Sequence, residues 1–257
     1  MDAIVTAGGI PQPDEPLYSF TLGGYKAMLD IAGKPMIQWV LDALADATEV
    51  ERVVVIGLPD DAPIKCNKLA ANIPNQGEML KNIQGGVQKV LELNPTAHHV
   101  LLVSSDIPAI TGKSVDWVVR NAMQTDDDIY YNVISREVME ARYPTSKRSY
   151  THLKDIEVCG GDMNVIRAVT VTENDAIWAK IIAARKNVFK QAALIGYDTL
   201  LLLLLRQLTL ESAVKTVASR LHISGRAIIC PYAEVGMDID KPHQLEIIRR
   251  DLAATVI

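Results

Sequence analysis

Short β-branched runs that alternate with helix-period segments constrain this chain more than any other feature. Ala3-Ile4-Val5-Thr6, Arg52-Val53-Val54-Val55-Ile56, Val100-Leu101-Leu102-Val103 and Ile129 to Ile134 are apolar runs of strand length. Runs without a polar residue at every second position belong to strands buried on both faces, as in parallel sheets. Between the first two runs lies a helix that Pro35 opens, with Ile37, Val40, Leu41 and Leu44 at i, i+3, i+4, i+7. Proline loses no needed donor at a first helical position. Val115, Val118, Val119 and Ala122 share one face of a second helix. This alternation predicts an α/β fold, a mostly parallel Rossmann-like sheet flanked by helices.

The second half reads differently. Residues 173–223 are helical in pattern, with Ile177, Ile181 and Ala184 in step and a leucine-rich stretch at 200–210. A strand from Arg226 to Cys230 leads into Val235-Gly236-Met237-Asp238, and a helix carrying Leu245, Ile248 and Leu252 follows. No Ser/Gly/Pro-rich linker divides the chain. The expectation is therefore one domain over 1–257, with 173–223 as a helical insertion packed on the sheet.

Composition narrows the function. A chain of 257 residues, 49% hydrophobic and 22% charged, can bury a large core without disulfides. Its net charge of −5 has the wrong sign for a dedicated nucleic-acid binder. The longest apolar run, Thr199 to Leu205, falls far short of the roughly 18 residues that cross a bilayer. No apolar leader precedes Gly8-Gly9, and Cys66, Cys159 and Cys230 form no CxxC pair. These features predict a cytoplasmic protein with buried thiols, no membrane partner and no nucleic-acid partner.

Ligands of open parallel sheets bind beyond the carboxyl ends of the strands. Three segments fall there: Ala7-Gly8-Gly9, Ser105-Asp106-Ile107-Pro108 and Gly236-Met237-Asp238-Ile239-Asp240. Glycines let backbone N–H groups approach phosphate oxygens without a Cβ in the way. Neither a GxGxxG fingerprint nor a Walker lysine follows. Asp106, just past an apolar strand, is costly to bury without a cation. Asp238 and Asp240 precede the closing helix, where Asp240 also suits the positive end of the helix dipole. Carboxylates from distant strand ends suit Mg²⁺ when phosphates and water complete its shell. No histidine pairs with Cys or Glu at zinc spacing, and no Gly-x-Ser-x-Gly elbow appears.

Taken in order, Ala3 to Gly9, Lys26 through Gly33-Lys34-Pro35-Met36-Ile37, Ser105-Asp106-Ile107-Pro108 and Asp238-Ile239-Asp240-Lys241-Pro242 resemble one family. They are similar to the MobA-like NTP transferases of the nucleotide-diphospho-sugar transferase (GT-A) fold. Lys147-Arg148-Ser149-Tyr150, Gly160-Gly161-Asp162 and Arg185-Lys186-Asn187 resemble the hallmarks of a bacterial branch of that family. The resemblance implies that an acceptor phosphate or phosphonate oxygen attacks the α-phosphorus of an NTP and releases pyrophosphate. Its implied partners are an NTP and a phosphorylated small molecule, and its implied cofactor is Mg²⁺. By position, Ala7, Gly8 and Gly9 would hold the nucleotide, Gly77 and Asn82 would face the base, and Lys26 and Asp106 would be catalytic. Asp106 would share the metal with Asp238 and Asp240. Basic clusters at 136–154 and 180–190 make Arg148 and Lys186 candidates for gripping phosphate, with Gly160 and Gly161 beside them.

One departure stands out. Relatives carry Gly-Gly-x-Gly-x-Arg, whereas Ile10-Pro11-Gln12-Pro13-Asp14-Glu15 here replaces the second glycine and the arginine. The first fifty residues hold seven acids and two bases. The loop from Ile10 to Gly24 is therefore expected to turn away from the nucleotide. Two other readings stay open. One is a glycosyltransferase of the same fold, because Asp238-Ile239-Asp240 is an Asp-x-Asp; the other is a non-catalytic nucleotide-binding protein with a degenerate loop.

Overall fold

Strand β1 (Asp2–Thr6) is flanked on both sides by parallel partners, and the rest of the sheet grows outward from it. The computed structural model describes residues 1–173, 178 and 196–254. The remaining strands are β2 (Asp30–Ile31), β3 (Lys34–Pro35), β4 (Arg52–Ile56), β5 (Leu69–Ile73), β6 (His99–Ser104), β7 (Ile129–Ser135), β8 (Thr151–His152), β9 (Glu157–Gly160), β10 (Met163–Arg167) and β11 (Gly225–Ile229). The described helices are α1 (Tyr18–Thr21), α2 (Met36–Asp46), α3 (Met79–Leu93), α4 (Gly112–Ala122), α5 (Arg136–Arg142), α6 (Ala168–Glu173), α7 (Tyr197–Leu204), α8 (Leu210–Leu221) and α9 (Pro242–Ala253). The main sheet runs β5-β4-β1-β6-β10-β7-β9-β8, with β11 beside β7, and β2 and β3 form a separate hairpin.

All strands of the main sheet except β9 and β10 point the same way. The mostly parallel sheet read from the sequence is therefore present. Side-chain alternation explains its two covering layers. Ala3, Val5, Val53, Val55, Leu101 and Val103 face a core shared with α2, α4 and α9. Ile4, Val54, Ile56 and Val100 face Ile83, Val87 and Val90 of α3 on the other side. Each such side chain, fully buried, contributes about 1.5–3 kcal/mol. That two-sided burial is why the strands read as unbroken apolar runs.

Several elements differ from the sequence reading. Pro35 pairs with Asp30 in the small hairpin, and the helix begins one residue later at Met36. β5 went unread because it is an edge strand whose burial is only partial. The short β8 to β10 went unread because they carry His152, Glu157, Asn164 and Arg167 among their apolar residues. Ile177, Ile181 and Ala184 lie outside the described residues. Beyond them the helical pattern is interrupted: α7 ends before Arg206, which has φ 53°, and Thr209 caps α8 through a hydrogen bond from Ser212 N–H. Leu201, Leu202, Leu204 and Leu205 are exposed, so the leucine-rich stretch is not core throughout. Between α8 and the sheet lies an apolar cavity of about 400 Å³ lined by Val133, Leu153, Val158, Leu208 and Val217. Among the described residues no helix is long and apolar enough to cross a membrane.

Two adjacent glycines of α3 test how closely this layer packs. A Cβ at Gly86 would lie 2.6 Å from Cγ2 of the fully buried Ile4, a branched methyl with no free end to swing. A Cβ at Gly85 would meet the Cδ1 tip of Ile56 at 3.1 Å and Gln76 Cγ at 3.6 Å, an ordinary contact. Alanine gains about 1 kcal/mol over glycine in a helix, whereas overpacking a core costs about 1–3 kcal/mol. Gly85→Ala should therefore leave stability unchanged or raised, and Gly86→Ala should lower it. Urea denaturation of both variants checks the sign.

Candidate active site

The carboxyl ends of β1 and β6 diverge, since β1 leads toward β4 while β6 leads to the other side, and a crevice opens between them. The Ala7–Gly9 turn sits there. Ala7 N–H donates to Ile56 O at 2.8 Å, and Ser105 N–H donates to Thr6 O at 3.1 Å. Gly57, at φ +114°, passes so close that a Cβ would lie 2.2 Å from Gly8 N. Only glycine fits both demands. Asn75 Nδ2 donates to Gly8 O at 3.1 Å. Asn75 Oδ1 accepts from Gly77 N–H at 2.8 Å and from Asn82 Nδ2 at 3.1 Å. Gly8, Gly77 and Asn82 are thus brought together. Asn75, which joins them, was missed; its signal was the Asn-x-Gly turn at 75–77.

Lys26 follows from the same loop, its N–H donating to Gly9 O at 2.8 Å. Its ammonium donates to Asp106 Oδ2 at 2.6 Å and to Asp240 Oδ1 at 2.8 Å. Burial works against the Lys26 charge, but Asp106 and Asp240 outweigh it and hold its pKa above the ordinary lysine value. Ser104 Oγ donates to Asp106 Oδ1 at 2.5 Å and fixes that carboxylate. Ile239 N–H donates to Asp106 O at 3.0 Å, tying the two acidic segments together through the backbone. Asp240 does not cap α9: its carboxylate faces Lys26, and Gln244 Oε1 accepts from its N–H at 2.9 Å.

Asp238 is buried and meets the Arg148 guanidinium. Burial raises its pKa, and Asp162 and Asp106 raise it further while Arg148 opposes them. For Asp240, burial also pushes upward, yet Lys26 dominates and holds the carboxyl below its usual range. Asp162, on the turn between β9 and β10, is a site acid that sequence reasoning passed over. The adjacent glycines were singled out and the acid was not.

Four carboxylates, Asp106, Asp162, Asp238 and Asp240, here stand against Lys26 and Arg148. Among the described residues they form no ready cage, because the two cations stand among them. The donor set still suits a hard divalent ion: it is all oxygen and in excess of the cations.

Arg148 reaches the site but is engaged by Asp238. A Cβ at Gly160 would lie 2.2 Å from Tyr131 Oη and one at Gly161 3.0 Å from Asn132 O, which gives both glycines a packing role. Lys186 lies outside the described residues. Much of the basic 136–154 cluster is spent elsewhere, Arg136 on Glu140 and Glu157 and Arg142 on Asp251. The Ile10–Gly24 loop does not turn wholly away. Ile10, Pro11 and Glu15 line a pocket with Lys26 and Asp240, although Glu15 Oε2 accepts from Gln12 N–H at 2.8 Å. The Pro-rich segment closes on itself and stays beside the site.

Removing Arg148 should strand the Asp238 charge. Breaking a buried pair from one side costs about 3–5 kcal/mol. Arg148→Ala should lose stability of that order in urea, and adding Asp238→Asn should restore part of it. Equal stability of wild type and Arg148→Ala would contradict the pairing.

Comparison with known proteins bears on the fold and the family. A hypothetical transferase from Thermus thermophilus superposes with a TM-score of 0.82 at 29% identity, over 95% of this chain and 98% of the other. A CMP:2-keto-3-deoxy-manno-octonic acid synthetase complexed with CTP gives 0.60 at 17% identity, over 99% of each chain. The 4-diphosphocytidyl-2C-methyl-D-erythritol synthase of Anaerococcus prevotii DSM 20548 gives 0.56 at 12% identity, over 98% of this chain and 95% of that one. The last two share the fold. No curated protein matches the sequence. The MobA-like NTP transferase domain matches residues 3–222. The match spans most of the chain, so the chain belongs to the MobA-like NTP transferases and is a nucleotidyltransferase.

Proposed function

We propose that the enzyme transfers an NMP group from an NTP to a phosphorylated small-molecule acceptor, with Mg²⁺ as cofactor and pyrophosphate as the second product. The observation that carries this reading is the Lys26 ammonium lodged between Asp106 and Asp240, beside the Gly8-Gly9 turn. A cation held by two acids beside a glycine turn can exchange partners when phosphate and metal arrive together. Asp106, Asp238 and Asp240 would hold Mg²⁺, which when bound neutralises phosphate charge and activates the α-phosphoryl group.

An acceptor oxygen forms the new bond to the α-phosphorus as the bond to the bridging oxygen breaks, and pyrophosphate leaves with that electron pair. Phosphoryl chemistry of this kind asks a protein chiefly for position and charge. Backbone N–H groups of Gly8 and Gly9 approach the phosphates, and Asn75 with Asn82 keeps that turn in shape. Lys26 follows the phosphate charge. Arg148 stands against Asp238 and fixes its direction. The free thiols Cys66, Cys159 and Cys230 support a cytoplasmic setting.

Pyrophosphate release with an NTP panel, phosphorylated acceptors and Mg²⁺ tests the reading. Release should need both acceptor and metal; nucleotide binding without release under any pairing would favour a non-catalytic binder. Asp106→Asn should lower turnover about a hundredfold or more while the melting temperature stays near wild type. Lys26→Ala should raise the NTP dissociation constant at least about tenfold in calorimetry. Unchanged kinetics in both variants would remove the carboxylate–lysine centre from the chemistry.

A further inference from the structure

We propose that Lys241 supplies the phosphate-gripping charge that the Ile10–Glu15 loop lacks. The pocket between that loop and the start of α9 then takes the β- and γ-phosphates of the NTP. This rests on the nucleotidyl-transfer reading above and names a residue that reading does not use.

A triphosphate brings about four negative charges, and one Mg²⁺ offsets two of them. Of the cations at the crevice, Lys26 is held by Asp106 and Asp240, and Arg148 by Asp238. Lys241 has no carboxylate partner among the described residues, and it is exposed. It lines a pocket of about 430 Å³ together with Gly9, Ile10, Pro11, Glu15 and Lys26. Phosphates leaving the Gly8-Gly9 turn toward Lys26 therefore enter a pocket that Lys241 also lines.

The wall is rigid where it matters. Gln244, 2% exposed, accepts through Oε1 from the N–H groups of both Asp240 and Lys241, each at 2.9 Å. Pro242 at the first helical position restricts the backbone of the residue before it, Lys241. The Lys241 backbone is thus pinned while its side chain stays free to follow an anion. The positive end of the twelve-residue α9 adds to the same field. On the loop side, the Glu15 carboxylate is occupied by Gln12 N–H, which moderates the one acid lining the pocket besides Asp240. A point charge on a flexible stem suits a terminal phosphate in place of the fork of an arginine.

The test compares binding of NTP, NMP and inorganic pyrophosphate by calorimetry, each with Mg²⁺, in wild type, Lys241→Ala, Lys241→Arg and Lys89→Ala. Lys89 pairs with Glu92 on α3 and controls for net charge. Lys241→Ala should weaken NTP and pyrophosphate about tenfold and NMP less than about twofold, with the loss shrinking as salt rises. Lys241→Arg should recover most of the affinity, and Lys89→Ala should bind as wild type. Equal NTP affinity in Lys241→Ala and wild type, or an equal loss for NMP, overturns the assignment of Lys241 alone. Failure of wild type to bind any NTP overturns both this assignment and the reading beneath it.

Discussion

The ammonium of Lys26, shared between Asp106 and Asp240, is the contact on which the rest of the site depends. It joins the loop after β1, the end of β6 and the approach to α9, three segments far apart in the chain. Without a cation there, Asp106, Asp162, Asp238 and Asp240 would crowd like charges into a partly buried edge. Burial first, and then the charges of Asp162 and Asp106, raise the Asp238 pKa, while Lys26 outweighs burial at Asp240 and lowers it. Lys26 thus preserves an arrangement of oxygens in the absence of metal.

The fold makes this contact reachable. β1 lies between parallel partners, so its end and that of β6 open side by side. α3 and α2 seal opposite faces, and Gly57 lets the β4 end run under the glycine turn. The Asp162 turn enters from β9 and β10, the two strands that oppose the rest, which carries a fourth acid to the same edge. Parallel strands and their reversal therefore serve one crevice.

Much of this was legible in the sequence because two-sided burial leaves unbroken apolar runs. β1, β4, β6, β7 and β11, and the helices α2, α4 and α9, announce themselves that way. The turn glycines and strand-end acids follow from where those runs stop. Asn75 and Asp162 were hidden because each acts through a tertiary contact with a residue far along the chain. The roles of Asp240 and Arg148 were hidden for the same reason: a helix-end acid and an acid bound to lysine look alike until Lys26 is placed. The loop's place was hidden too: Ile10, Pro11 and Glu15 line a pocket with Lys26 and Asp240, and the Gln12 N–H bond to Glu15 is not visible in the residue pattern. Leu201, Leu202, Leu204 and Leu205 show the reverse limit, since leucine content alone does not reveal which face a helix buries.

A crystal structure with Mg²⁺ and a non-hydrolysable NTP tests the central claim most directly. Lys26 Nζ should leave Asp106 and Asp240 for a phosphate oxygen, with Mg²⁺ on Asp106 in its place. Lys26 remaining between the two acids, with the nucleotide bound and no metal on Asp106, would contradict it.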